Sequence, residues 1–314
     1  MNGRGAHGSF LRPHAWIGFQ DHIRAKIRRQ PEKTQTPPTR RGHVMRFRRS
    51  VLIGVLASVL LASVGKRLAM GAGTPQQIGT GLDTMVLVPA GWFPRGSTRQ
   101  QAKEAKKYTW VKKEWFDFEV PQRSVYLDAF HIDKYPVTNA QFLKFGRPKT
   151  AFGSNFNGDR QPVVGVTWFQ ARDYCGSVGK RLPTEAEWEK AARGVDGRKY
   201  SWGDAWNPDR FIWSKNSGGR THPVDRDYRT HRSPYGAVDM VGNVWEWAAD
   251  WTGKDYYLSA PKHNPKGPAS GSERVVRGGS WLHYDPWMFR AAYRYRYPPD
   301  FRLSILGFRC AKAP

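Results

Sequence analysis

Glycine and proline punctuate this chain 32 and 22 times in 314 residues, so no helical period runs far before a residue that ends it. A long coiled coil is excluded on that ground alone. The interruptions leave a body of short elements and turns, which must build its core from large side chains at scattered positions. Those are supplied by 14 Trp, 13 Tyr and 16 Phe. The apolar mass suffices for one large domain or two small ones, and wholesale disorder is excluded. The two cysteines can form one bridge, but not a four-cysteine zinc site, an iron–sulfur cluster or a disulfide-rich scaffold.

The formal charge is +25. Residues 1–50 hold 12 basic and two acidic residues (Asp21 and Glu32), a net +10, and the body from residue 68 carries about +13. A solvated basic surface accounts for this charge, and no nucleic-acid partner is expected. Residues 1–44, rich in Arg, Pro, Gly and His and without period, read as a disordered basic segment or as sequence upstream of a start at Met45. A basic flank, 45–50, then precedes an apolar run, 51–65, that is short for a stable membrane span of about 20 residues. Ser63-Val64-Gly65 and Ala69-Met70-Gly71 offer small-x-small cleavage sites, so 45–73 reads as a signal peptide or an N-terminal membrane anchor. Either way the body, 80–314, is expected to be extracytoplasmic, periplasmic or secreted, and to meet a membrane only through that segment if it stays uncleaved.

Within the body, residues 85–91 read as a short strand into a turn. Two helices are clear. Thr167 caps a segment over 168–178, with Gln170 three residues on and Gly179 as its stop; Trp168, Ala171, Tyr174, Cys175 and Val178 form its apolar stripe. Thr184 and Glu187 make a second capping box, opening a helix with Trp188, Ala191 and Ala192 that ends at Gly194. Nearly everything after Gly194 reads as loop and short strand.

One segment, 235–247, brackets a glycine-containing turn with two acids, Asp239 and Glu246. Two carboxylates and the intervening carbonyls could converge on a hard cation such as calcium; alternatively, both acids cap turns or pair with arginines. There is no HExxH, CxxC, P-loop or GxSxG motif.

Seven blocks follow one another in an order that resembles the formylglycine-generating enzyme, or sulfatase-modifying factor, family. They are Met-Val-Leu-Val-Pro-Ala-Gly at 85–91, Tyr-Pro-Val-Thr-Asn at 135–139, Pro-Val-Val-Gly-Val-Thr-Trp at 162–168, the Gly-Lys-Arg-Leu-Pro-Thr-Glu run at 179–189, Gly-Asn-Val-Trp-Glu-Trp at 242–247, Arg-Gly-Gly-Ser-Trp at 277–281 and Gly-Phe-Arg-Cys at 307–310. The resemblance covers about 83–312. It implies an α+β, C-type-lectin-like domain, loop-rich, with two main helices and a twisted antiparallel sheet.

The same resemblance implies a structural calcium held by Asp239, Gly242, Val244 and Glu246. A second family calcium site would lie near Phe211 and Ile212, where an Asn is expected, and the acidic loop that follows it in the family is missing from Ser214 to His222. It also implies a disulfide between Cys175 and Cys310; the family's other bridge is lost, since Ala192 stands at one of its positions. The two cysteines that hold copper(I) and oxidise a substrate cysteine in the family fall here on His283 and Met288. The copper site therefore cannot form as it does in the family, and copper is not expected. Nearby Arg290, Arg294 and Arg296, interleaved with Tyr293 and Tyr295, serve either packing and ion pairs or a binding rail.

The resulting expectation is an exported, calcium-stabilised binding, accessory or assembly module with a protein or peptide partner in the cell envelope, gripped by exposed Trp, Tyr and Arg side chains. The alternative is an oxidoreductase of altered chemistry on the same scaffold, as similarity to a pyoverdine-chromophore oxidase or to ergothioneine-type sulfoxide synthases allows. The synthases bring iron ligands from a separate helical domain, which does not fit upstream of residue 80. Formylglycine generation on sulfatases is the remaining reading.

Overall fold

A threonine hydroxyl starts each of the three best-defined helices, and its reach back to the third amide decides where the chain stops being a loop. In the computed structural model, which describes residues 75–105, 118–146, 152–226, 232–253 and 255–314, Thr138, Thr167 and Thr184 each form a complete capping box with Gln141, Gln170 and Glu187. Each cap satisfies amides that a helix start leaves without partners, at about 1 kcal/mol. The segments 1–44 and 45–73 lie outside the described residues, and the described residues from Pro75 on belong to one compact unit.

Along the chain come β1 (Gln77–Ile78), β2 (Met85–Val88), β3 (Gly91–Arg95), α1 (Arg99–Ala105), β4 (Arg123–Leu127), β5 (Phe130–Asp133) and α2 (Asn139–Lys144). Then follow α3 (Trp168–Ser177), α4 (Glu185–Arg193), β6 (Trp245–Trp251), α5 (Tyr256–Ser259), β7 (Arg274–Arg277), β8 (Arg294–Tyr297), β9 (Leu306–Gly307) and β10 (Ala311–Lys312). The mainly antiparallel strands expected from the resemblance fall into three sheets among the described residues. One antiparallel sheet runs β1-β2-β5-β10, β3 pairs β4 alone, and a third sheet runs β8-β7-β6-β9. In the last, β6 and β9 are parallel, with Trp245 opposite Leu306 and Glu246 opposite Gly307. The C-terminal strand thus lands beside β5, far from it in sequence, with Ala311 opposite Ile132.

Helix α4 sits where these pieces meet, and every residue in it is buried. Trp188, Ala191 and Ala192 pack with Val86, Phe93, Phe130 and Ile132. Its polar face is buried too. Glu185 pairs with Arg95 and Arg294, Glu189 with Arg193 and Arg277, and Lys190 donates to the carbonyls of Pro89 and Gly91. Charges so placed persist only when each has a partner, since an unpaired buried ion costs several kcal/mol.

Helix α3 buries Trp168, Ala171, Tyr174 and Cys175, but the stripe ends one residue early: Val178 is the C-cap and is 45% exposed. Cys175 is bonded to Cys310, as the resemblance implied, and neither thiol is free. Most of the described tryptophans are core rather than grip. Trp168, Trp188, Trp213, Trp245, Trp247 and Trp287 are all buried, and among the described residues Trp92 is the exposed one. In so loop-rich a body these rings substitute for the aliphatic layers that longer elements would provide. No helix of the described residues is long and apolar enough to cross a membrane.

Candidate functional site

The 239–246 turn is built on backbone that ordinary residues avoid. Asp239 and Asn243 hold φ values of 54° and 60°, and Gly242 lies between them at 79°. A Cβ on Gly242 would stand 2.4 Å from the Ile212 carbonyl oxygen, so only glycine fits there. Asn243 locks the turn. Its amide donates to the Ile212 carbonyl (3.0 Å), its carbonyl accepts from the Trp281 amide (2.9 Å), and its side chain exchanges bonds with both backbone groups of His222. The Ile212 carbonyl near the second family calcium position is therefore already engaged.

The two acids have different surroundings. Glu246 is fully buried and faces Arg309: Oε1 accepts from Nη2 (2.7 Å) and Oε2 from Nε (2.6 Å), while Trp188 Nε1 also donates to Oε2 (2.7 Å). Arg309 further donates to the carbonyls of Asp133, Lys134 and Val238, tying β5 and the turn to the C-terminal segment. Pairing with an arginine thus describes Glu246, and the residue that pairs with it lay in the Gly-Phe-Arg-Cys block without an assigned role. Asp239 has one such tie. Its Oδ2 accepts from Asn243 Nδ2 (3.0 Å), whereas Oδ1 is buried with no hydrogen-bond partner. Burial pushes this carboxyl up to about 6, and the Glu246 charge adds to the shift against the opposing pull of Arg226 and Arg309.

An orphaned carboxylate oxygen in the interior is what a hard cation satisfies, and Glu246 Oε1, with a single hydrogen bond, keeps a lone pair for the same purpose. The donor set of Asp239, Glu246 and the Gly242 and Val244 carbonyls fits calcium on that chemistry. No group of three or more His, Cys, Asp or Glu side chains able to hold a metal occurs among the described residues, so backbone carbonyls would complete any shell.

The loop carrying His283 and Met288 follows the Gly278-Gly279 turn, where a Cβ on Gly279 would stand 2.6 Å from the Phe289 ring. His283 is 8% exposed. Its Nδ1 is 2.7 Å from Ser280 Oγ, and its ring meets Trp245 edge-on at 5.5 Å. Burial lowers its pKa to about 4, so the imidazole is neutral at physiological pH. Met288 is half-buried in the turn Pro286–Phe289. Copper(I) held by two thiolates does not fit here, because the donors are an imidazole with one nitrogen engaged and a neutral thioether, and both cysteines of the chain are in the disulfide. In the same loop, burial raises the Asp285 carboxyl to about 7. Beside the loop lies a cleft of about 160 Å³ lined by Ser97, Gln101, Arg193, Pro286, Trp287 and Arg290.

The arginines after this loop are structural. Arg290 pairs with Glu119, Arg294 with Glu185 at 2.7 Å and Arg296 with Glu273 at 2.7 Å. Arg290 and Arg294 are also buried. A binding rail needs cations with their heads in solvent, so the ion-pair reading replaces it.

Comparison with known proteins agrees with this architecture. Residues 72–314 match the model of the sulfatase-modifying factor enzyme 1-like domain. The chain is 36% identical over 266 residues to the serine/threonine-protein kinase pkn1 of Chlamydia pneumoniae, an alignment covering 76% of this chain but only 39% of the kinase. It is 35% identical over 256 residues to the formylglycine-generating enzyme of Streptomyces coelicolor, covering 62% of this chain and 82% of that enzyme. Among solved structures, Treponema denticola variable protein 1 superposes with a TM-score of 0.63 at 25% identity, covering 77% of this chain and all of that one. PvdO from Pseudomonas aeruginosa superposes at 0.62 and 24%, covering 77% of this chain and 99% of its own, which bears on fold alone. With a family match over most of the chain and an ordered set of blocks that fold into one unit, the chain belongs to the sulfatase-modifying factor, or formylglycine-generating enzyme-like, family.

Proposed function

We propose that this domain is a binding, accessory or assembly module of an extracytoplasmic compartment, stabilised by calcium at Asp239, Gly242, Val244 and Glu246, and that it has set aside the formylglycine chemistry of its relatives. The observation carrying this reading is the occupancy of the family's two catalytic positions. Formylglycine formation needs a thiolate pair beside the substrate cysteine. Here one position is a buried, neutral His283 bonded to Ser280, the other is Met288, and no thiol is left in the chain. A disulfide joining Cys175 to Cys310 supports an oxidising compartment, and the expected partner is a protein or peptide of the cell envelope.

The test is direct. Purified protein supplied with copper and incubated with a cysteine-containing sulfatase peptide is expected to leave the peptide unchanged by mass spectrometry. Aldehyde formed in dependence on this protein overturns the proposal. A second reading, oxidoreductase chemistry of another kind on the scaffold, is favoured by Asp285, a carboxyl lifted to about 7 in the loop that replaces the thiols. Crosslinking in the cell envelope separates the two: a stable protein partner supports the module, and turnover of a small molecule without one supports the enzyme.

A further inference from the structure

Arg274, at the start of β7, carries more hydrogen-bond donors than the fold uses, and none of them serves the 277–290 loop. Its guanidinium lies between two indoles, 3.6 Å from the centre of the Trp168 ring and 3.4 Å from that of Trp251. The rings are stacked, 20° apart in plane, and Trp168 is fixed by its Nε1 donating to the Ala248 carbonyl at 2.9 Å. The sandwich leaves only the edges of the fork for hydrogen bonding. Nη1 donates to the Ala249 carbonyl, and among the described residues that is the side chain's one hydrogen bond. Nε is buried without a partner, so the Nε–Nη2 edge, the one that matches a carboxylate bidentately, is unused. Asp250 is the nearby carboxylate; its Oδ2 accepts from the Glu185 amide, its Oδ1 is buried without a hydrogen-bond partner, and no ion pair joins it to Arg274.

Arg274 and Trp168 line a groove of about 580 Å³. Leu127, Leu182 and Ala249 give it apolar walls, and Lys266 stands at its rim. Two further rim cations, Arg172 and Arg181, already face Asp173 and Glu187. The volume falls in the range of small-molecule sites, and the two indoles hold the guanidinium in one orientation.

We propose that this groove binds a small organic carboxylate with an apolar body, its carboxyl taken by the Nε–Nη2 edge of Arg274 and its body laid against Trp168, Leu127 and Leu182. Burial lowers the Arg274 pKa to about 10, which leaves the guanidinium charged at neutral pH. None of the groove residues belongs to the His283–Met288 loop, so the inference stands whether or not the domain is an enzyme.

Calorimetric titration of the full chain with 4-phenylbutyrate, and separately with its amide, tests it. The acid is expected to bind with a Kd below about 1 mM at low salt and at least about tenfold more tightly than the amide. Arg274→Lys keeps the charge but lacks the fork, and is expected to weaken the acid by about tenfold or more. Acid and amide binding alike, or no binding of the acid at about 10 mM, overturns the proposal without relying on any variant. A peptide with a free carboxyl terminus that binds about tenfold better than phenylbutyrate overturns the small-molecule assignment.

Discussion

Replacing Cys175 and Cys310 together by Ala removes the cross-link from a chain that is otherwise unchanged at the surface, since both residues are fully buried. The bridge spans 135 residues. In the loop-entropy relation a closed loop of that length lowers the unfolded-state entropy by about 17 cal/mol/K, or about 5 kcal/mol at 25 °C. The native state should register the loss weakly. The Cys310 amide donates to Asp133 Oδ2 and the Asp133 amide to the Cys310 carbonyl, each at 2.8 Å, so β10 stays tied to β5 without the sulfurs. The expected result is a fall of about 5 kcal/mol in unfolding free energy by denaturant titration, and a melting temperature lower by roughly 10–20 °C. A loss below about 1 kcal/mol would refute the chain-entropy account. Quantitative alkylation of both thiols in native protein without reductant would refute the bridge itself.

Four further outcomes are expected. Chelation should lower the melting temperature of wild-type protein but not of Asp239→Asn, because calcium at a hundredfold excess over its Kd adds about 2.7 kcal/mol; equal melting with and without chelator would show that these acids only brace the turn. In metal-free protein the raised Asp239 pKa makes the native state bind more protons than the unfolded one between about pH 4 and 6, so stability falls as pH rises through that window. The slope, about 3 kcal/mol in total, should shrink in Asp239→Asn, and an unaltered pH profile in that variant would count against it. His283, lowered to about 4, should show no NMR titration above about pH 5; it contributes stability that is present above the unfolded pKa and is lost as pH falls toward 4, and a midpoint above 6 would place the ring in solvent. Thr184→Ala should cost about 1 kcal/mol in unfolding free energy by removing the cap of α4.

The local parts of this protein are legible in its residues because they are decided within a few positions. Thr167 with Gln170 and Thr184 with Glu187 start helices by hydrogen bonds three residues long, and Gly194 ends one, whatever lies elsewhere. Block order carried the family and the disulfide, since Cys175 and Cys310 each stand in a recognisable neighbourhood. What spacing left open was the environment of each charge. Asp239 and Glu246 are two acids seven residues apart in sequence, and only Arg309, brought across by the parallel strand β9, distinguishes the paired one from the one with an empty oxygen.

The same holds for α4, whose cap, end and apolar residues are legible locally and whose charged residues are not. Glu185 and Glu189 are buried because Arg95, Arg277 and Arg294 arrive from three different strands. Likewise, the tryptophans read as surface for gripping are mostly interior, since a body of short elements has few aliphatic layers and fills its centre with rings. Capping, turns and helix ends are short-range interactions and so are written in the sequence. Burial and charge pairing depend on which distant segments meet, and the tertiary structure alone decides them.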